Sequence, residues 1–270
     1  MTKTPQMPLH GPSPDEVPLP NAPLVSVIAQ VRFPTLLSVR NPDRVASFQE
    51  VVRGRYPHLE RQDIPTIVVM AGGSPNPASE PVTVVHWRFA DEAAEFKWRV
   101  SLSQDFIALE TRAYESRQDF MERLETILQA LEDTLAPTHM MRFGMRYIDQ
   151  IKGEPMARID TLLRKEVLGV APCAGPHARQ VITELAAPAE PGELLARWGR
   201  LPRNMTVEPN LLPPVQEDSW LIDLDVSSTR QLAFEAKGIV ETARSAAERV
   251  YTVFRWMVTE EFLKAYGGKV

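Results

Sequence analysis

The sequence predicts an α+β fold: one long, curved antiparallel sheet with its helices gathered on one face. Three observations lead there. Segments with alternating apolar residues recur along most of the chain, the period of half-buried strands. Two longer segments carry apolar stripes at helical spacing. The order strand, helix, several strands, helix occurs twice.

The elements follow in order. The opening segment "MTKTPQMPLHGPSPDEVPLPNAP" is dense in proline and lacks periodicity, so an extended arm that does not pack on the core is expected. "LVSVIAQVRF" reads as a strand. "NPDRVASFQEVVRGRY" reads as a helix, with Asn41 as N-cap, Pro42 in the first turn, and Val45, Phe48 and Val52 on one side. "TIVVMAG", "VTVVHWRF", "FKWRVSL" and "DFIALETR" are strand candidates, the last two joined by a hairpin turning at Ser103–Gln104. A helix is predicted from Arg117 to Leu135, capped by Ser116 and Asp119 and striped by Phe120, Leu124, Ile127, Leu128 and Leu131. The second half reads as a strand "MRFGMRYIDQI", a helix "EPMARIDTLLRKEVLG", and strands "RQVITELAA", "ELLARWGR" and "SWLIDLDVSS". The proline-rich stretch from Arg200 to Asp218 is a long connection. A last helix is expected from about Ala233 to Phe262.

The halves read as a duplication. Arg32-Phe33 corresponds to Arg146-Tyr147, and each pair precedes a helix with proline in its first turn, Pro42 or Pro155. This divides the chain into a flexible arm over 1–22, a first α+β repeat over 23–136 and a second over 137–270, packed as one globular unit. The plan resembles the saddle of the TATA-binding protein, a similarity of topology that implies no function.

Several landmarks extend over nearly the whole chain after the arm: "PLVSVIAQVRF", "ALETRAY", "RFGMRYIDQI", "LIDLDV" and a final helix containing Phe254. Together they resemble a sporadically distributed bacterial family of uncharacterised proteins of about this length, "RFGMRYID" being the most specific piece. The resemblance implies an architecture and no reaction. It also implies a histidine two turns before the phenylalanine, where this chain has Ala247.

Composition is that of an ordinary globular protein, 44% hydrophobic and 24% charged. A net charge of −5 argues against coating nucleic acid by bulk charge. The single cysteine, Cys173, permits no intrachain disulfide and suits a reducing compartment. There is no span-length apolar run and no basic-then-apolar leader, so a soluble cytoplasmic protein without membrane association is expected. The sequence leaves the oligomeric state open.

Motifs of known chemistry are scarce. His10, His58, His86, His139 and His177 stand in no metal-ligand spacing. No phosphate loop or nucleophile elbow occurs, and "MAGGSPNP" reads as a surface loop. Cys173 has His177 four residues on, in a loose proline–glycine loop with nothing to orient the pair. No cofactor is expected.

The faces of the strands say more. Alternation sets Phe143, Met145 and Tyr147 towards the helices and Arg142 and Arg146 away from them. Arg32, His86, Arg88, Lys97 and Arg99 fall on the same outer face, as do Asp223 and Asp225. One outcome is an ion-pair lattice, the arginines answering Asp223, Asp225 and Glu110. The other is an anion or partner site formed by Arg32, Arg88, Arg99, Arg142 and Arg146. The expected function is therefore a non-catalytic binding or accessory protein, working with a protein partner through the open sheet face or the arm. Alternatives are a nucleic-acid or nucleotide binder on the basic face, and a metal-dependent hydrolase at Asp223 and Asp225.

Overall fold

The structure, a computed structural model, describes residues 6–66, 82–174, 179–209 and 211–269. β1 (Leu24–Arg32) leads through a short 3-10 turn to α1 (Pro42–Val52), then β2 (His58–Thr66), β3 (Val82–Ala90), β4 (Trp98–Ser103), β5 (Phe106–Thr111) and α2 (Arg117–Leu135). The chain continues with β6 (His139–Met140), β7 (Arg142–Ile151) and four single turns of helix, α3 (Glu154–Ala157), α4 (Ile159–Leu162), α5 (Lys165–Leu168) and α6 (Ala171–Ala174). β8 (Val181–Ala189), β9 (Gly192–Leu201), β10 (Ser219–Ser228), β11 (Leu232–Ala233), α7 (Ala236–Met257) and α8 (Glu260–Ala265) complete it.

Nine strands form one antiparallel sheet in the order β2-β3-β4-β5-β1-β7-β10-β9-β8, and β6 pairs with β11 apart from it. The α+β class with helices over a large antiparallel sheet is thus as predicted. β1 and β7 meet at the centre, with Ala29 opposite Met145 and Val31 opposite Phe143. α1 packs on α2, α2 on α7, and α7 lies across β7 and β10. Between these layers, Val27, Ala29, Val31, Leu109, Phe143, Met145, Ile222 and Val226 are fully buried; Phe143 and Met145 thus lie on the face that alternation assigned to them.

Local chemistry accounts for the helices that were legible. Asn41 accepts from the Asp43 amide at 2.9 Å, with Pro42 in the first turn. Ser116 accepts from the Asp119 amide at 3.1 Å, and the predicted stripe of α2 is buried. None of the described helices is long and apolar enough to cross a membrane.

Four expectations about the elements are corrected. The strand beside β3 is His58–Thr66, ending where "TIVVMAG" begins; the rest of that segment, and "MAGGSPNP", lie outside the described residues. β2 is an edge strand, where charges and proline are tolerated, so its sequence "HLERQDIPT" gives little apolar signal. The β4–β5 hairpin turns at Gln104–Asp105, one residue later than read. The helix expected in "EPMARIDTLLRKEVLG" breaks into single turns. There Leu163 bridges to Val258, the Arg164 amide donates to the Met257 carbonyl, and Gly169 takes φ +55°. The last helix divides at the same junction: Val258 is extended, and Thr259 caps α8 by accepting from the Phe262 amide at 3.3 Å.

The proline-rich segment is also not a free arm. Residues 6–22 lie along α7 and the end of the chain, with Met7, Leu9, Val17 and Leu19 against the core. Buried Arg249 donates to the carbonyls of Pro8 (2.9 Å), Gly11 (2.7 Å) and Glu190 (3.3 Å). The Tyr251 hydroxyl accepts from the Val17 amide at 2.7 Å and donates to the Asp15 carbonyl at 3.1 Å. An extended proline-rich chain bonds few of its own carbonyls, and a buried guanidinium needs acceptors. Each supplies what the other lacks, a complementarity that composition alone does not reveal.

Candidate functional site

The face of the sheet away from the helices carries a lattice of ion pairs, partly covered by the connection between β9 and β10, whose Leu212 packs with Ile148, Leu201 and Leu221. Arg146 grips Asp223 with two bonds, 2.7 Å from Nε and 2.8 Å from a terminal nitrogen, and donates a third to Glu208 at 2.6 Å. Burial works against the Arg146 charge, but these two carboxylates more than offset it and hold its pKa above the ordinary guanidinium value. Arg197 approaches Asp223 to 3.3 Å. Arg142 stands 3.9 Å from Asp225, whose pKa is raised by burial and pulled back by Arg142. Gly144, facing the same way, leaves the space in which the Arg142 guanidinium lies. Arg99 pairs with Glu110, and Arg32 with Asp105 at 2.9 Å.

The other predicted members of the face are placed differently. Arg88 is partly exposed and meets no carboxylate within ion-pair distance among the described residues. Lys97 turns to Glu92 at 2.8 Å, away from the cluster. His86 packs edge-on against Phe106 at 5.4 Å, and burial lowers its pKa. Arg99 and Arg112 both stack over Phe96, at 4.0 and 4.5 Å from its centre. Asp223 has its oxygens engaged by arginine, and no group of three or more candidate metal-ligating side chains occurs among the described residues. Cys173 is exposed; His177 lies outside the described residues.

A second site lies on the other side of the sheet. Where α7 crosses β7 and β10, the layers part around a cavity of about 410 Å³. Its floor is Tyr147, Asp149 and Leu224; one wall is Ala247, Val250, Tyr251 and Phe254 of α7; residues Glu16 to Ala22 form the roof. Tyr114 and Arg117 stand beside it, and Arg117 is held by Glu16 at 3.3 Å and Glu248 at 3.9 Å. The Tyr114 and Tyr147 rings meet edge to face at 5.7 Å, and burial raises both phenols above their usual pKa.

Asp149 is the unusual member. It stands opposite Ile222 on the helix-facing side of β7 and is 6% exposed. Among the described residues its carboxylate accepts no hydrogen bond and meets no cation within ion-pair distance. Burial alone pushes its pKa up to about 7. Tyr266 is pushed up to about 12, by burial first and by the Asp149 charge second. Buried carboxylates are normally paired or hydrogen-bonded; this one faces the cavity with neither among the described residues.

Sequence reading missed this residue, although the signal was present. The parity that turns Phe143, Met145 and Tyr147 inward turns Asp149 inward as well. Ala247 and Phe254, singled out by the family resemblance, both line the same cavity. Comparison with known proteins finds no matching family model and no matching curated protein.

Proposed function

We propose that this chain is a binding protein of accessory type whose ligand seat is the cavity between the sheet, α7 and residues 16–22. The observation that carries the reading is Asp149: one unpartnered carboxyl at the floor of an otherwise largely apolar chamber. Apolar walls with a few placed polar groups suit holding a ligand by one end. The docked proline-rich segment supplies the roof, so a macromolecular partner that takes up this segment would open the chamber. In this form the arm keeps the partner-binding role expected of it. The strand order also supports internal duplication, since β1 and β7 abut and each half then runs outward from its last strand, β5 or β10. Membership of the sporadic bacterial family and a cytoplasmic location belong to the same reading.

The nucleic-acid alternative is less well supported, because Arg32, Arg99, Arg142 and Arg146 already face carboxylates. The hydrolase alternative suffers from the engagement of Asp223 by Arg146 and Arg197.

The test is a fluorescence titration of the full chain with N-phenyl-1-naphthylamine, a neutral apolar probe. Binding should be saturable, should be displaced by octanol, and should be lost in Ala247→Trp, which fills the chamber from α7. Unsaturable binding, or binding indifferent to Ala247→Trp, would remove the cavity from consideration.

A further inference from the structure

We propose that the cavity takes a primary aliphatic ammonium, its charged head on the Asp149 carboxylate and its alkyl chain along Leu24, Leu224, Val250 and Phe254. This deepens the reading above and rests on it. The volume of about 410 Å³ falls within the range of small-molecule sites. An ionised carboxylate only accepts hydrogen bonds, so its natural complement is a multiple donor carrying the opposite charge. An ammonium has three donors on a compact head, and it relieves the cost of an unpaired buried charge.

The surrounding charges favour the same sign of ligand. Asp149 lies at the floor, and Glu16 and Glu115 are among the lining residues. The one cation of the lining, Arg117, is already answered by Glu16 and Glu248. An anion would meet net negative charge. The phenols of Tyr114, Tyr147 and Tyr251, together with Phe254, add aromatic faces, which attract cations. Tyr266 is near enough to feel the Asp149 charge.

The titratable groups set the pH profile. Tyr114, Tyr147 and Tyr266 have raised pKa values and stay neutral through the working range. Asp149 is therefore the group of the chamber that changes charge near neutrality. Amine binding should strengthen as pH rises through about 7 and hold until the amine itself loses its proton, at roughly the pKa of a lysine side chain.

The experiment is calorimetric titration of the full chain with octylamine, octanol and octanoate, and with N-acetyl-lysinamide to represent a lysine of a partner protein. At about pH 8, octylamine should bind about tenfold tighter than octanol or better, the worth of a charge-assisted hydrogen bond. That gap should close at about pH 5.5, where Asp149 is protonated. Asp149→Asn keeps shape and volume; it should abolish the gap at the higher pH while leaving octanol binding intact. Equal binding of octanol and octylamine would overturn the amine assignment and leave the cavity reading standing. Tighter binding of octanoate would do the same. Failure of all four ligands, with no response to Ala247→Trp, would sink both. Binding of N-acetyl-lysinamide without octylamine would exclude a free amine, and octylamine binding that survives Asp149→Asn would place it elsewhere.

Discussion

Asp149 carries the clearest prediction at the scale of single residues. Its pKa is 3.8 in an unstructured chain and about 7 in the fold. The folded chain therefore keeps this proton to higher pH than the unfolded chain does. Stability should fall as pH rises across that window and level off above it, by up to about 4 kcal/mol from this group. Asp225 shifts in the same direction, so the informative quantity is the difference between wild type and Asp149→Asn. Urea unfolding should find the two alike at about pH 4, with Asp149→Asn more stable at about pH 8. On the opposite face, Arg146→Ala should cost about 3 kcal/mol, the low end for breaking a buried pair, because Arg197 still reaches Asp223. Adding Asp223→Asn should cost less than the sum of the single changes. Phe143→Ala, at a fully buried position, should cost about 3–5 kcal/mol. Arg146, Asp223 and Phe143 sit on the faces that strand parity assigns them. Asp149 shares the parity of Phe143, Met145 and Tyr147, but one acidic residue at the end of an apolar face does not by itself reveal that it meets a cavity and no partner.

Elements with local signals were legible, and elements governed by distant contacts were not. α1 and α2 begin at capping residues visible in the sequence, and β10 spans the segment read for it. The turns α3 to α6 fail as one helix because Leu163 and Arg164 bond to residues about ninety positions later. The docking of residues 6–22 depends on Arg249, more than two hundred residues away, and no local pattern announces such a partner. Arg249→Ala should release the segment and cost about 2–4 kcal/mol, since the hydrogen bonds lost come from a charged donor. Limited proteolysis should then cut within residues 6–22 while wild type resists; equal resistance in both would show that Arg249 is dispensable for docking. β8 and β9 depend on another close approach. Gly199 has φ +146°, and a Cβ there would strike the Val181 carbonyl. Gly199→Ala should therefore pry this edge pair apart, costing more than about 1–3 kcal/mol.

For the molecule as a whole, the large antiparallel sheet with helices on one face follows from the alternating apolar segments and the two striped helices, and needed no knowledge of contacts. The location of the cavity could not be read that way. It arises where α7, β7, β10 and an N-terminal segment converge, and its floor and walls come from residues 24 to 254. The docked segment has a consequence for synthesis. Residues 6–22 are made more than two hundred residues ahead of Arg249 and Tyr251, which hold them. Until those residues emerge the segment has no seat, and its proline-rich composition keeps it soluble while it waits. The chamber is consequently roofed only after α7 has been made. Ribosome-bound chains stalled before residue 236 should expose residues 6–22 to protease, and chains long enough to free α7 should protect them.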